Sequence, residues 1–435
     1  MPVLRLPQEH LTAPILHRTS VTLAFLEHFY VHSHPAPVGS LAIPASVAVP
    51  LVQVSTLLGL PPILTYATTV LYNVVPRDPT TIFDAKTNPP VRCHANFTGL
   101  ASEDQFYLVS SLVELHGVRA LDIMRQALDE AFVGDRLALR RITAYLRALA
   151  GAIEDLRDVM KTMRAGCDPA EFYHLIRPWF KGSDGEGPGG LGWLFEGVGE
   201  TGQGERRIVS GPSAGQSSLV HALDLFLGVD HSPRPSGHAG PPSSEAGPSK
   251  PTPAAAASAT TDTAKPVSKG DATFMQRMLQ YMPGPHRQFL LHLQANSVAV
   301  RDLVLANQDF EGGSLARAYD DAVSAMGRFR DYHFVIVTTY IIQQARRPPP
   351  AHILALMNPE PTVAEVVEEE TVKAVDPAWR LGTEKLSAPP PPAVAEEDDD
   401  EAADEPIRGT GGTALAQFLK LCKARTVENI IGRAQ

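Results

Sequence analysis

The stretch Leu315–Tyr340, LARAYDDAVSAMGRFRDYHFVIVTTY, decides the fold class. Leu315, Tyr319, Ala322, Met326, Phe329, His333, Ile336 and Tyr340 recur at alternating steps of four and three. That spacing draws one stripe down an α-helix, the mark of a face buried against a core. One member breaks the chemistry of the stripe: His333, flanked by Arg330, Asp331 and Tyr332. A buried imidazole needs a partner for each ring nitrogen. Two kinds of partner suit it, a hydrogen-bonding group of the protein or a metal ion, for which neutral imidazole is the commonest ligand. Spacing alone leaves both open.

The same period recurs upstream. Leu139, Ile142, Leu146, Leu149, Ile153, Leu156 and Met160 form a second stripe, with Asp135 in place as its N-cap. Phe106–Leu121 and Pro285–Leu305 read as helices too, the latter opening on proline in its first turn. No alternating runs joined by Asn-Gly or Asp-Gly turns mark strand pairs. The expected fold is all-α.

Composition narrows the class. The chain has 435 residues, 44% of them hydrophobic, enough for a sizeable core. Its formal charge of −10 is concentrated in acidic runs, Glu368–Glu370 and Glu396–Glu405. The remainder is near balance and shows no basic face, so no nucleic-acid partner is expected. Cys93, Cys167 and Cys422 form no CxxC pair, which fits a reducing compartment without disulfides. Met1–Leu16 lacks the pattern of a signal peptide. The apolar segment Leu41–Leu71 carries Pro44, Pro50, Pro61 and Pro62, too many for a membrane helix. A cytoplasmic protein with no membrane contact is expected. Residues 230–269 and 346–408 are rich in Pro, Gly, Ser, Ala and acidic residues. They offer too little apolar surface to offset ordering, so both read as disordered inserts.

Several clusters carry possible chemistry. Ser213-Ala214-Gly215-Gln216-Ser217-Ser218 has the spacing of a capping box, with small residues that let a polar ligand approach a helix start. Asp224, farther along, is an acid among Leu223, Leu225 and Phe226, either solvated or set to orient an imidazole. Phe172-Tyr173-His174-Leu175-Ile176-Arg177 puts two aromatics a turn from an arginine. That arrangement suits an aromatic amino acid, rings against its side chain and guanidinium on its carboxylate; it also suits a half-buried helix. Gly409-Thr410-Gly411-Gly412-Thr413 closes the second insert and reads as the hinge of a lid or as a linker to the helix that follows. The pair His32 and His34 has a spacing unsuited to one helix face and no third ligand, so it is set aside as a metal site. HExxH, P-loop, GxSxG and Rossmann signatures are absent, which removes the common hydrolase, NTPase and dehydrogenase readings.

The order of these pieces resembles the indoleamine 2,3-dioxygenase family, and most of all its fungal members. The resemblance is carried by residues 48–55 (AVPLVQVS), 60–67 (LPPILTYA), 106–110 (FYLVS), 172–177 and 213–218. It continues with Tyr281-Met282-Pro283, His286-Arg287, Arg330–His333 and Gly409–Thr413. It runs from about His10 to the C-terminus, apart from the two inserts. By resemblance, residues 1–60 are the remnant of a shortened N-terminal cap domain and residues 61–435 a large helical haem domain.

The resemblance also implies roles. His333 would be the proximal ligand of haem b iron, with Asp224 and Arg330 behind it. Tyr66, Val70, Phe106, Ser110, Ser213 and Ala214 would line the substrate side, Phe172 and Tyr173 would pack near the indole, and Arg177 would pair with the substrate carboxylate. Thr410 would belong to a closing loop. Ser110, Phe172 and Arg177 stand nearest the chemistry. The implied reaction inserts both atoms of O₂ across the indole C2–C3 bond of L-tryptophan, giving N-formyl-kynurenine, the entry to tryptophan breakdown and NAD synthesis. Ser110 is no base at neutral pH, and the reaction as implied needs none. A reductant for the iron and a monomeric state are expected. The alternative is a haem-binding relative of low turnover that acts as a sensor. Val74 replaces a tryptophan common among relatives, and Thr69 and Pro212 differ from mammalian pocket residues, which bears on substrate preference.

Overall fold

The computed structural model describes residues 2–4, 6–7, 11–34, 37–186, 190–231, 273–296, 300–357 and 414–433. Thr410, the glycine-rich segment around it, the acidic runs and most of both expected inserts lie outside them. The principal helices are α1 (Ala13–Ser33), α2 (Ala45–Leu58), α3 (Ala101–Val133), α4 (Arg136–Lys161), α5 (Ser218–Phe226), α6 (Gly284–Asn296), α7 (Ser314–Val337) and α8 (Leu415–Val427).

The frame is α3, α4 and α7. Gly134, at φ 67°, ends α3, and the Asp135 carboxylate caps α4 by accepting from the Ala138 N–H at 2.8 Å. The reversal therefore has a left-handed glycine followed by an acid that satisfies a helix-start donor. All seven members of the α4 stripe are buried, and Ile142, Leu146, Leu149 and Ile153 are fully enclosed. They share a core with Leu315, Tyr319, Ala322, Met326 and Phe329 of α7. Leu146→Ala is expected to cost about 2–5 kcal/mol, the usual range for emptying an enclosed leucine site. Chemical denaturation measures it, and a loss under about 1 kcal/mol would contradict this packing.

The α7 stripe changes character at His333. Leu315 through Phe329 are closed off, whereas His333 and Ile336 are only half-buried. Helix α7 then loosens into a π-turn, Thr338–Ile342, in which Tyr340 is buried again.

The N-terminal helices join the same body. Phe25 of α1 stacks on Phe97 at 4.5 Å, and the His28 ring bonds the Trp179 carbonyl at 2.7 Å. Val21, Leu51, Tyr107, Phe172 and Phe195 belong to one cluster, so packing runs continuously across residue 60.

Two features depart from the sequence reading. Short strands are present, in a three-stranded sheet β1 (Ala42–Ile43), β4 (Trp193–Phe195), β5 (Glu205–Arg207) and a hairpin-like pair β2 (Val74–Pro76), β3 (Pro90–Cys93). At two to four residues each they are too short to show alternation. Residues 346–408 were expected to be disordered, yet Ala351–Met357 forms a helix that buries Ile353.

Candidate active site

Three elements around His333 come from far apart in the chain. Helix α3 contributes Phe106, Ser110 and Glu114, four residues apart and therefore on one stripe. A π-turn at Phe172–Ile176, followed by a 3₁₀ turn at Arg177–Phe180, contributes the aromatic-and-arginine cluster. The segment Ser213–Ser217 leads into α5.

Contacts connect these elements into a closed ring. Phe106 meets Phe172 with ring centroids 4.6 Å apart, and Phe172 meets Tyr340 edge-on at 5.9 Å. Tyr340 lies on the turn that continues α7 past His333. One turn before His333, the Arg330 Nη2 donates to both oxygens of Asp224 at 2.7 and 2.6 Å. Asp224 rides on α5, whose N-cap is Ser217. The Ser217 hydroxyl donates to Glu114 Oε1 at 2.6 Å, which returns the ring to α3. Tyr66 closes the remaining side: its hydroxyl donates to the same Glu114 oxygen at 2.9 Å, and its N–H donates to the Gln216 side chain at 2.8 Å.

His333 sits on this ring. No described residue hydrogen-bonds either of its nitrogens, and neither nitrogen is sealed among packed atoms. Burial, with the Arg330 charge adding to it, lowers its pKa to about 4. The ring is therefore neutral at pH 7, with a lone pair available to a ligand-seeking metal. The Asp224 carboxylate behind it is 2% exposed. Burial pushes that carboxyl up, but the Arg330 charge and the His231 hydrogen bond outweigh burial, and the net shift is below the usual carboxylate value. Arg330 also donates to the Thr426 hydroxyl of α8, so the turn below His333 is held from two sides.

The Phe172–Arg177 segment of the ring joins aromatic side chains to a cation. The Arg177 guanidinium lies over the Tyr173 ring, 5.5 Å from its centroid, and both residues are half-buried. Burial lowers the Arg177 pKa from its ordinary value, as expected for a cation held partly away from water. A planar guanidinium is the side chain best matched to a carboxylate. The family description Indoleamine 2,3-dioxygenase matches residues 1–429, nearly the entire chain.

The chain belongs to the indoleamine 2,3-dioxygenase family.

Among relatives, the Saccharomyces cerevisiae indoleamine 2,3-dioxygenase is 30% identical over 95% of this chain and 78% of its own length. Mouse indoleamine 2,3-dioxygenase 1 is 31% identical over 71% of this chain and 64% of its own length, just under two thirds. A Fusarium equiseti protein named 6-hydroxytryptophan 2,3-dioxygenase is 28% identical over 75% of this chain and 68% of itself.

The structure brings Tyr66, Phe106, Ser110, Phe172, Tyr173, Arg177, Ser213, Ala214, Asp224, Arg330 and His333 onto or beside this ring. Their placements differ in kind. Phe106, Ser110 and Ser213 are half-buried and Ala214 is exposed, while Val70 and Phe172 are 2% and 5% exposed and back the wall rather than border open space. The Ser110 hydroxyl is committed to the Phe106 carbonyl at 3.0 Å.

One local expectation needs correction. Ser213 and Gln216 do not form a capping box: the Ser213 hydroxyl accepts from Gly215, and the helix cap is Ser217. Gln216 instead bridges Tyr66 and the Gly211 carbonyl, because a buried amide needs partners for both its ends. The imidazole that Asp224 contacts directly is His231, at 2.8 Å. Its link to His333 runs through Arg330.

Glu114, His231 and Thr426 were not singled out in the sequence, and Tyr340 was read as a member of the α7 stripe without a role in the site. Glu114 had a legible signal, since it extends the Phe106–Ser110 stripe by one more step. His231 had none, standing at the edge of a low-complexity stretch.

Proposed function

We propose that the protein is a haem-dependent dioxygenase that cleaves the indole 2,3-bond of L-tryptophan with O₂ to give N-formyl-kynurenine. The observation that carries this reading is His333, a neutral imidazole without a hydrogen-bond partner among the described residues, on a ring that also presents Arg177. A structural core histidine would have its nitrogens satisfied. One left open suits a metal-bearing group such as haem b.

In this reading His333 is the protein ligand of the haem iron, and the haem supplies the activation of O₂ that no side chain can provide. The Asp224–Arg330 pair fixes the helical turn from which His333 projects and keeps its orientation constant. Arg177 takes the tryptophan carboxylate through its planar fork. The Phe106 and Tyr173 rings confine the indole, and the buried faces of Val70 and Phe172 behind them keep water from the reacting carbons. Thr410, which the resemblance gives to a closing loop, lies outside the described residues. None of these side chains serves as a general base: the Ser110 hydroxyl bonds its own helix, and the Glu114 oxygen is taken up by the Tyr66 and Ser217 hydroxyls. The residues therefore bind, orient and exclude water.

The protein acts as a cytoplasmic monomer that draws on a cellular reductant to keep the iron ferrous. Among the described residues no helix is long and apolar enough to cross a membrane. Reduced, haem-loaded protein given L-tryptophan and air is expected to accumulate N-formyl-kynurenine, followed by its near-ultraviolet absorbance. A haem-loaded protein that binds L-tryptophan and makes no product would sink the catalytic reading.

A further inference from the structure

We propose that Glu114 is a positioning residue that sets the closed end of the substrate pocket. Its carboxyl holds two wall segments, through the hydroxyls of Tyr66 and Ser217, at a fixed distance from α3.

The geometry is specific. Both hydroxyls converge on one oxygen, Oε1, at 2.9 and 2.6 Å. One comes from the segment before the π-turn Ala67–Leu71, the other from the N-cap of α5, 48 and 103 residues away in sequence. Among the described residues, the Tyr66 and Ser217 hydroxyls are the groups that accompany burial in shifting this carboxyl. A hydroxyl pair held by a single acceptor fixes the two segments relative to each other as well as to α3.

Position along α3 gives this fixture its meaning. Phe106 abuts Phe172, which lies in the turn that ends at Arg177. Glu114 is eight residues farther on, about 12 Å along the helix axis at 1.5 Å per residue. The turn that leads to Arg177 thus meets α3 at Phe106, and the Tyr66–Glu114–Ser217 cluster meets it about two helical turns farther on. On the tryptophan-cleaving reading, on which this proposal rests, the carboxylate is held by Arg177 and the benzo edge of the indole meets the cluster. The cluster then limits how far a substituent on that edge can extend. A carboxyl whose oxygen is already taken up by both hydroxyls suits this role, since the acceptor is committed to the wall and not turned to the apolar ring.

Two variants test it. Glu114→Gln retains an acceptor oxygen, whereas Glu114→Leu removes it and frees both hydroxyls. Glu114→Gln is expected to keep KM for L-tryptophan within about 3-fold, because the amide oxygen replaces Oε1. Glu114→Leu is expected to raise KM about 10-fold, with kcat changed less. It should also raise kcat/KM for 6-methyltryptophan relative to tryptophan by about 10-fold, the scale at which one methylene is discriminated in a pocket. Should Glu114→Leu fail to fold, Tyr66→Phe, which removes one of the two donors, is expected to move KM and the 6-methyltryptophan ratio in the same direction. Unchanged KM and unchanged ratio in whichever of these folds would overturn the proposal.

A second readout does not depend on turnover. Burial raises the Glu114 pKa in the folded state, so above the unfolded carboxyl pKa ionisation favours unfolding. Wild type loses stability on this account as pH rises through the carboxylate range, and Glu114→Gln does not. The thermal midpoint of the variant minus that of wild type is therefore expected to increase from pH 4 to pH 8; a flat difference would show a solvated carboxyl and count against the proposal. Absence of turnover in wild type would defeat the dioxygenase reading instead, and the midpoint series would still judge Glu114.

Discussion

His333→Ala is expected to abolish the haem Soret band at haem concentrations that saturate the wild-type protein. Second-sphere partners of metal ligands alone are worth about 10–100-fold in affinity, so loss of the ligand itself should cost at least about 100-fold. The substitution separates ligation from folding unusually well. His333 makes no hydrogen bond to a described residue and is half-buried, so alanine strands no partner and opens little new space in the packed core. The continuously buried run of the α7 stripe, Leu315 through Phe329, lies before it, and the next buried stripe member, Tyr340, is seven residues beyond. The haem-free variant should therefore unfold within a few degrees of haem-free wild type. An undiminished Soret band would show that another group holds the iron. A large loss of stability in the haem-free state would show that His333 serves the core.

Arg177→Ala is expected to raise KM for L-tryptophan about 10–100-fold, with a smaller change in kcat. The figure corresponds to losing a hydrogen-bonded charge pair worth about 1.5–3 kcal/mol. Arg177→Lys should recover only part of it, because an ammonium cannot offer the planar fork or lie flat over the Tyr173 ring. The effect should vanish for tryptamine, which has the same indole and no carboxylate. A KM equal to wild type for L-tryptophan, or an equal loss for tryptamine, would remove Arg177 from carboxylate recognition.

What could be read in the sequence was what depends on neighbours along the chain. The α4 stripe, the Asp135 cap and the apolar half of α7 are local patterns, and each appears in the structure as read. His333 was conspicuous because it interrupts such a pattern. Its company was not legible, because the ring around it is closed by contacts between distant segments. Gln216 looked like the partner of Ser213 three residues away, yet its amide bonds Tyr66, 150 residues distant. Glu114 continues the Phe106–Ser110 step along α3, but only the convergence of Tyr66 and Ser217 shows what it meets there. Asp224 was expected to face an imidazole and does, but the ring is that of His231. The five short strands left no trace, since two to four residues cannot establish a period.

The central claim is that these residues direct both atoms of O₂ into L-tryptophan. Turnover under ¹⁸O₂ in ordinary water, with the product analysed at once by mass spectrometry, tests it most directly. The account predicts label in both new carbonyl oxygens, the formyl and the ketone. Label in only one of them, or in neither, with the other oxygen drawn from water, would contradict it.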